Sequence, residues 1–211
     1  MPKAKESGGG TFTPAPAGAH VARCFACVAL GTQQPNNPAF NPAFKVMLMF
    51  EIPNELVEGT DEPMTIGKEY TCSLSDKANL RKDLVGWRGR DFTAEELQGF
   101  DVANVVGQPC ILSIVDYQKQ NGGHGTKINS MSKLPKGSAC PPPAHKPIIY
   151  EIEHGRNEVF NALPDWIKKK IEACDEWQVK KAPQVQPAPK AVPQQSPPVS
   201  SDEPESDDVP F

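Results

Sequence analysis

The chain is short of apolar residues: only 38% of its 211 residues are hydrophobic and 7% aromatic. No run approaches the ~18 apolar residues that cross a bilayer, which excludes a helical membrane protein. Met1–Gly10 is Lys-containing and Gly-rich and lacks the apolar stretch of a secretory signal. With six cysteines (24, 27, 72, 110, 140 and 174) and no export signal, reduced thiols and a cytoplasmic location are expected. Enzyme motifs are missing too. No HExxH, GxSxG or GxxxxGK[ST] occurs. No paired-acid constellation suggests a two-metal nuclease. Neither an enzymatic activity nor a cofactor is expected.

Two patterns resemble chemical sites without the right context. Cys24-Phe-Ala-Cys27 has metal-ligand spacing. Residues three apart on a strand point to opposite faces, however, and no second CxxC occurs, so no shared metal is expected. Gly122-Gly-His-Gly125 looks like a phosphate loop but joins two predicted strands, so a hairpin turn is the simpler account. Of the four histidines, His124 in that turn and His145 in a Pro-rich loop read as exposed loop residues.

Proline, by contrast, is abundant, at 23 residues, and charge is unevenly placed. Residues 182–211 hold eight prolines, one base (Lys190) and five acids, Asp202, Glu203, Glu205, Asp207 and Asp208. Taking these from totals of 22 basic and 26 acidic residues leaves 21 of each, so the body is neutral and the net charge of −4 sits in the tail. Such a tail cannot bury enough apolar surface to fold alone. Within the body, Tyr117 to Pro147 carries Lys119, Lys127, Lys133, Lys136 and Lys146 and no acid. Lys68–Arg90 is also net basic, whereas Glu51–Glu62 has five acids and no base.

Periodicity divides the chain into a disordered segment 1–17, a domain 18–136, a C-terminal extension 137–181 with a helix, and the disordered tail 182–211. Strands are predicted at His20–Leu30, Lys45–Ile52 (apolar on both faces), Ile66–Leu74, Gln108–Tyr117 and Thr126–Met131. Between the third and fourth, Ser75 or Asp76 is expected to cap a helix with Leu80, Leu84 and Trp87 on its apolar face. Thr93-Ala-Glu-Glu96 reads as a capping box opening a second. Ile148–Ile152 is a candidate short strand. Pro164–Trp177 is predicted as one helix, with Ile167, Ile171 and Cys174 on one face. Five strands with a helical insertion between strands three and four predict a mainly β, OB-fold Greek-key barrel.

In an OB-fold, the hairpin of strands four and five and the loop between strands one and two border an oligonucleotide cleft. The lysine-rich stretch falls on that hairpin. The loop holds a repeat, Asn37-Pro-Ala-Phe40 and Asn41-Pro-Ala-Phe44. Phe40 is a candidate for base stacking unless it folds over the barrel mouth, while Phe44 adjoins the strand and reads as core. Tyr117 either stacks on a base or closes the barrel. Arg88 and Arg90 either grip phosphates or pair with Asp83 and Asp91. Lys119, Lys127 and Lys133 complete the candidate set for a sugar-phosphate backbone; the bland alternative is a solvated hairpin.

The last five residues, Asp207-Asp208-Val209-Pro210-Phe211, closely resemble the C-terminal tip of bacterial single-stranded-DNA-binding proteins, and the Pro/Gln-rich linker before them fits the same plan. Lys82–Cys110 (KDLVGWRGRDFTAEELQGFDVANVVGQPC) looks like small phage-encoded proteins of replication and recombination modules. This resemblance implies a phage-type single-stranded-DNA-binding protein. It would protect exposed strands in replication, recombination or repair, and recruit partner proteins through the tip. The body lacks the usual bacterial pattern and carries the extra segment 137–181, so the tetramer typical of the bacterial proteins is not carried over. The rival reading is a replisome adaptor with an OB-like body and little or no DNA binding.

Overall fold

The computed structural model describes residues 13–119 and 122–181. The expectations placed on 1–12 and on the acidic tip lie outside the described residues. Six strands form one sheet: β1 (Gly18–Gln33), β2 (Ala43–Leu56), β3 (Pro63–Thr71), β4 (Pro109–Gln118), β5 (His124–Ser132) and β6 (Ile148–Tyr150). Between β3 and β4 lie α1 (Asn79–Arg88), α2 (Ala94–Gln98) and a 3-10 turn at Val102–Val105. After β6 come a second 3-10 turn (Ile152–His154) and the helices α3 (Glu158–Ala162), α4 (Asp165–Glu172) and α5 (Asp175–Lys181).

The architecture is mainly β, and its path runs β3-β2-β1-β4-β5 with antiparallel neighbours. β6 adds to β1 in parallel. No β3–β5 ladder is present among the described residues, so the expected closed barrel is replaced by an open path. The two ends do approach: Lys68 Nζ on β3 donates to the Asn129 carbonyl on β5 across 3.4 Å.

β1 organises the sheet. Its first part, Gly18–Arg23, pairs with β4, and its second, Arg23–Gln33, pairs with β2. Register shifts at Cys24/Ala26 and Ala29/Gly31 let one strand serve both partners, since bulges bend a strand and increase its twist. Gly31 has a left-handed φ of 75°, and a Cβ there would lie 2.5 Å from both Cys174 Sγ and Ile152 Cδ1. Only glycine meets both demands. The first bulge also overturns the opposite-face expectation for the CxxC: Cys24 and Cys27 both enter the same core. Burial raises both thiol pKa values, Cys27 to about 12.

β2 explains its own composition. Val46, Leu48, Phe50 and Ile52 face a core shared with α1, β4 and β5, including Leu80, Leu84, Trp87, Leu112 and Ile128. Met47, and Met49 at its edge, face a second core built by the C-terminal extension from Tyr150, Phe160, Ile167, Ile171 and Trp177. The extension is therefore part of the packed body. The segment before β6 also covers Glu51 of β2, which is buried and whose Oε2 accepts from the His145 amide and from His145 Nδ1, both at 2.9 Å. The His145 ring stacks on Phe25 at 4.6 Å. His145 is thus a half-buried clasp rather than a bystander in a loop.

Three local expectations are corrected. The N-cap of α1 is Ala78, with no side-chain cap, because the Asp76 carboxylate instead pairs with Arg81. The single helix over Pro164–Trp177 is two. The chain breaks at Ala173–Cys174, which lets Cys174 and Trp177 both reach the core, Trp177 stacked on Phe160 at 5.1 Å. Phe44 is not core but 41% exposed. The capping box at Thr93 is present as expected, with both reciprocal bonds. All six cysteines are free. Among the described residues, no helix is long and apolar enough to cross a membrane.

Candidate nucleic-acid interface

The β4–β5 hairpin brings Tyr117 opposite Gly125 and Gln118 opposite His124. Its turn is tied by the Lys119 amide to the Gly123 carbonyl at 2.7 Å and by the Gly122 amide to the Lys119 carbonyl at 2.9 Å. On β4, Cys110, Leu112 and Ile114 point into the core, so Tyr117, three residues past Ile114, emerges on the outer side. It does not close a barrel. The Lys127 ammonium lies 5.6 Å from the centroid of its ring. A Cβ on Gly125 would approach Lys119 Cε to 2.8 Å and Tyr117 Cε1 to 3.1 Å. The bare backbone at Gly125 is what lets the ring and the lysine stem lie across the hairpin.

The hairpin walls one side of a groove of about 550 Å³. Tyr117, Lys119 and His124 line it from the hairpin, Met49 from β2, Thr65–Gly67 from β3, and Pro164 and Trp166 from the start of α4. Tyr117 is 38% and Trp166 49% exposed. None of the described lining residues is acidic. Two half-exposed aromatic rings, with one lysine in the same lining and a second over one ring, suit planar, anionic ligands: rings stack and ammoniums neutralise.

Trp166 was missed by the sequence reading. The signal was present: it falls off the Ile167–Ile171 stripe of an amphipathic helix, where a large aromatic has no core to fill.

The other candidates are not gathered in this groove. Arg88, Arg90 and Lys133 line a separate cavity of about 530 Å³ with Trp87, Phe100 and Glu96. Both arginines pair with Glu96, Arg90 Nη2 at 2.8 Å. The Arg88 guanidinium also lies against the Phe92 and Phe100 rings, at 4.4 and 5.2 Å from their centroids, and the two rings meet edge-on. The expected partners Asp83 and Asp91 are engaged elsewhere. Asp83 Oδ2 takes Lys68 at 2.6 Å and the Tyr70 hydroxyl at 2.7 Å, while Asp91 pairs with Arg81 at 3.2 Å. Four of the six bases of Lys68–Arg90, namely Lys68, Arg81, Arg88 and Arg90, are therefore held in internal ion pairs. Arg90 holds the Glu96 carboxyl at about 2, helped by the Thr93 amide and Arg88.

Phe40 is 67% exposed in a turn closed by its own amide to the Asn37 carbonyl at 3.1 Å. It lies beyond the end of β1 opposite to the hairpin, since the hairpin flanks Gly18 and the loop follows Gln33. Between the two, the outer face of β2 is covered by the second core. The expected cleft is thus interrupted by the extension.

Among the described residues, no group of three or more His, Cys, Asp or Glu is placed to hold a metal ion. No protein-family model, curated protein or solved structure matches the chain.

Proposed function

We propose that the protein binds single-stranded DNA through the groove between the β4–β5 hairpin and α4, and recruits replication or recombination proteins through its acidic C-terminal tip. One observation carries this reading: Tyr117 and Trp166, both half-exposed, line one groove together with Lys119 and His124, and none of its described lining residues is acidic. Tyr117 and Trp166 stack bases; Lys119 and Lys127 neutralise phosphates. Lys133, Arg88 and Arg90 form a second basic cavity toward the other end of β5, and Phe40 is a separate contact for longer strands.

The OB-fold reading is supported by three features: the central β1 pairing with both β2 and β4, the helix between β3 and β4, and the approach of β3 to β5. The role of Asp207, Asp208, Val209, Pro210 and Phe211 rests on their resemblance to the tips of bacterial single-stranded-DNA-binding proteins. An acidic tip ending in an aromatic residue with a carboxylate suits a partner pocket with an apolar floor and a basic rim.

The test is anisotropy of a labelled oligonucleotide across a salt series, with wild type and a Lys119→Glu/Lys127→Glu variant. Each phosphate contact contributes ~0.7 to the log–log salt slope for single strands, so the variant flattens it by about 1.4. A wild-type protein that fails to bind, or a folded variant with an unchanged slope, refutes the assignment.

A further inference from the structure

At the other end of β1 a cavity of about 460 Å³ opens between the start of β2, the Val102–Val105 turn and the segment following β6. Ala29, Val46, Phe100 and Val102 give it an apolar floor. Phe44 and Ile149 stand at its edge, 41% and 47% exposed. Exposed apolar side chains beside an apolar cavity mark a surface built to be covered.

The charged lining is of one sign: Asp101, Glu151, Glu153 and Glu176, with no Lys, Arg or His among the described lining residues. Two of these acids are bonded to neutral donors that leave the charge in place. Asp101 Oδ1 accepts from the Ala103 amide at 2.8 Å, and Glu176 accepts from the Thr32 amide at 2.8 Å and hydroxyl at 2.7 Å. Burial alone would raise the Glu176 pKa; the Thr32 bonds outweigh it and hold the group below its ordinary value.

We propose that this cavity docks a partner protein through a segment in which a Lys or Arg flanks a bulky apolar side chain. The apolar residue enters between Phe44 and Ile149, and the cation meets the carboxylates. The volume lies in the ~300–1,000 Å³ range of ligand pockets. An apolar anchor inside a charged rim is the usual form of a binding hot spot, with the rim setting encounter and partner choice. A nucleic acid is repelled by the same carboxylates. The cavity shares no lining residue with the groove at Tyr117, so the inference stands independently of the DNA-binding reading.

The probe is a pool of acetylated hexapeptides in which Lys or Arg alternates with Leu, Ile or Phe, titrated into the full chain by isothermal calorimetry. The comparison pool carries Glu in place of the bases. Saturable binding of the basic pool is expected. It should weaken by about tenfold in each of two surface variants, Ile149→Lys and Glu151→Lys, and weaken with added salt. Melting temperatures check the fold, and oligonucleotide binding of both variants should equal wild type. The proposal is overturned by absent binding of the basic pool, by equal binding of the acidic pool, or by unchanged affinity in both folded variants. It is also overturned if Ile149→Lys alters oligonucleotide affinity. Wild-type protein that takes the basic pool but not DNA supports this site while removing the function proposed above.

Discussion

Truncating the two aromatic rings that line the groove tests the stacking assignment directly. Tyr117 and Trp166 are about two-fifths and one-half exposed, and neither belongs to either core. Aromatic side chains bury ~150–250 Å² when enclosed, so roughly half of ~200 Å² at ~25 cal/mol/Å² bounds the folding cost of each alanine at about 2.5 kcal/mol. The binding cost is separate. Stacking is worth ~1–3 kcal/mol per base, and 1.4 kcal/mol is tenfold, so each variant should weaken oligo(dT) binding by ~5- to ~150-fold. Tyr117→Leu and Trp166→Leu keep apolar bulk but lose the stacking face, and should retain stability while losing most of the affinity. If the two rings hold different bases the losses add; if they clamp one base, the double variant loses less than the sum. Anisotropy well below the melting temperature reads the affinity, and calorimetric melting reads the fold. Folded Tyr117→Ala and Trp166→Ala variants that bind like wild type would refute the groove. Phe40→Ala is the internal comparison: its effect should appear only with oligonucleotides long enough to pass the extension.

Two further predictions follow from the buried and surface charges. Asp83 is 8% exposed and holds both the Lys68 ammonium and the Tyr70 hydroxyl. Asp83→Ala removes the carboxylate from both, leaving the Lys68 ammonium only the Asn129 carbonyl at 3.4 Å, and should cost about 3 kcal/mol or more in chemical denaturation; a loss under 1 kcal/mol would show that Lys68 is solvated in the native state. Glu96, held down to about 2 against an ordinary 4.5, stabilises the folded state fully above pH 4.5 and loses that contribution as pH falls toward 2. The melting-temperature gap between wild type and Glu96→Gln should therefore be constant at neutral pH and close through that acid window. A gap that persists at pH 2 would place the stabilisation elsewhere.

Residues that carried two signals at once were the ones legible in advance. The Leu80–Leu84–Trp87 stripe and the Thr93 capping box each combine periodicity with local hydrogen-bonding chemistry, and α1 and α2 form there. β2 is apolar on both faces because it serves two cores, and two cores need two covers; the second is the C-terminal extension. Cys24 and Cys27 share a face despite their spacing because a bulge between them adds a residue to one strand only. That changes the facing of everything beyond it, and nothing local marks it. Of the candidate site, Tyr117, Lys119 and Lys127 do fall together, because a hairpin is a short-range structure whose register follows from its turn.

What the amino-acid sequence determined by itself is what depends on neighbours in the chain: strand and helix positions, the basic hairpin, the acid-rich proline tail and the neutral body. What only the tertiary structure decided is which charges remain available and which faces remain open. Arg88 and Arg90 read as cations, but Glu96, six and eight residues away, takes both. Trp166 became a wall of the groove only because α4 packs across from Gly67 of β3, a hundred residues earlier. Charge and exposure belong to pairs of residues brought together by packing, and a pairing between distant segments leaves no periodic trace in either of them.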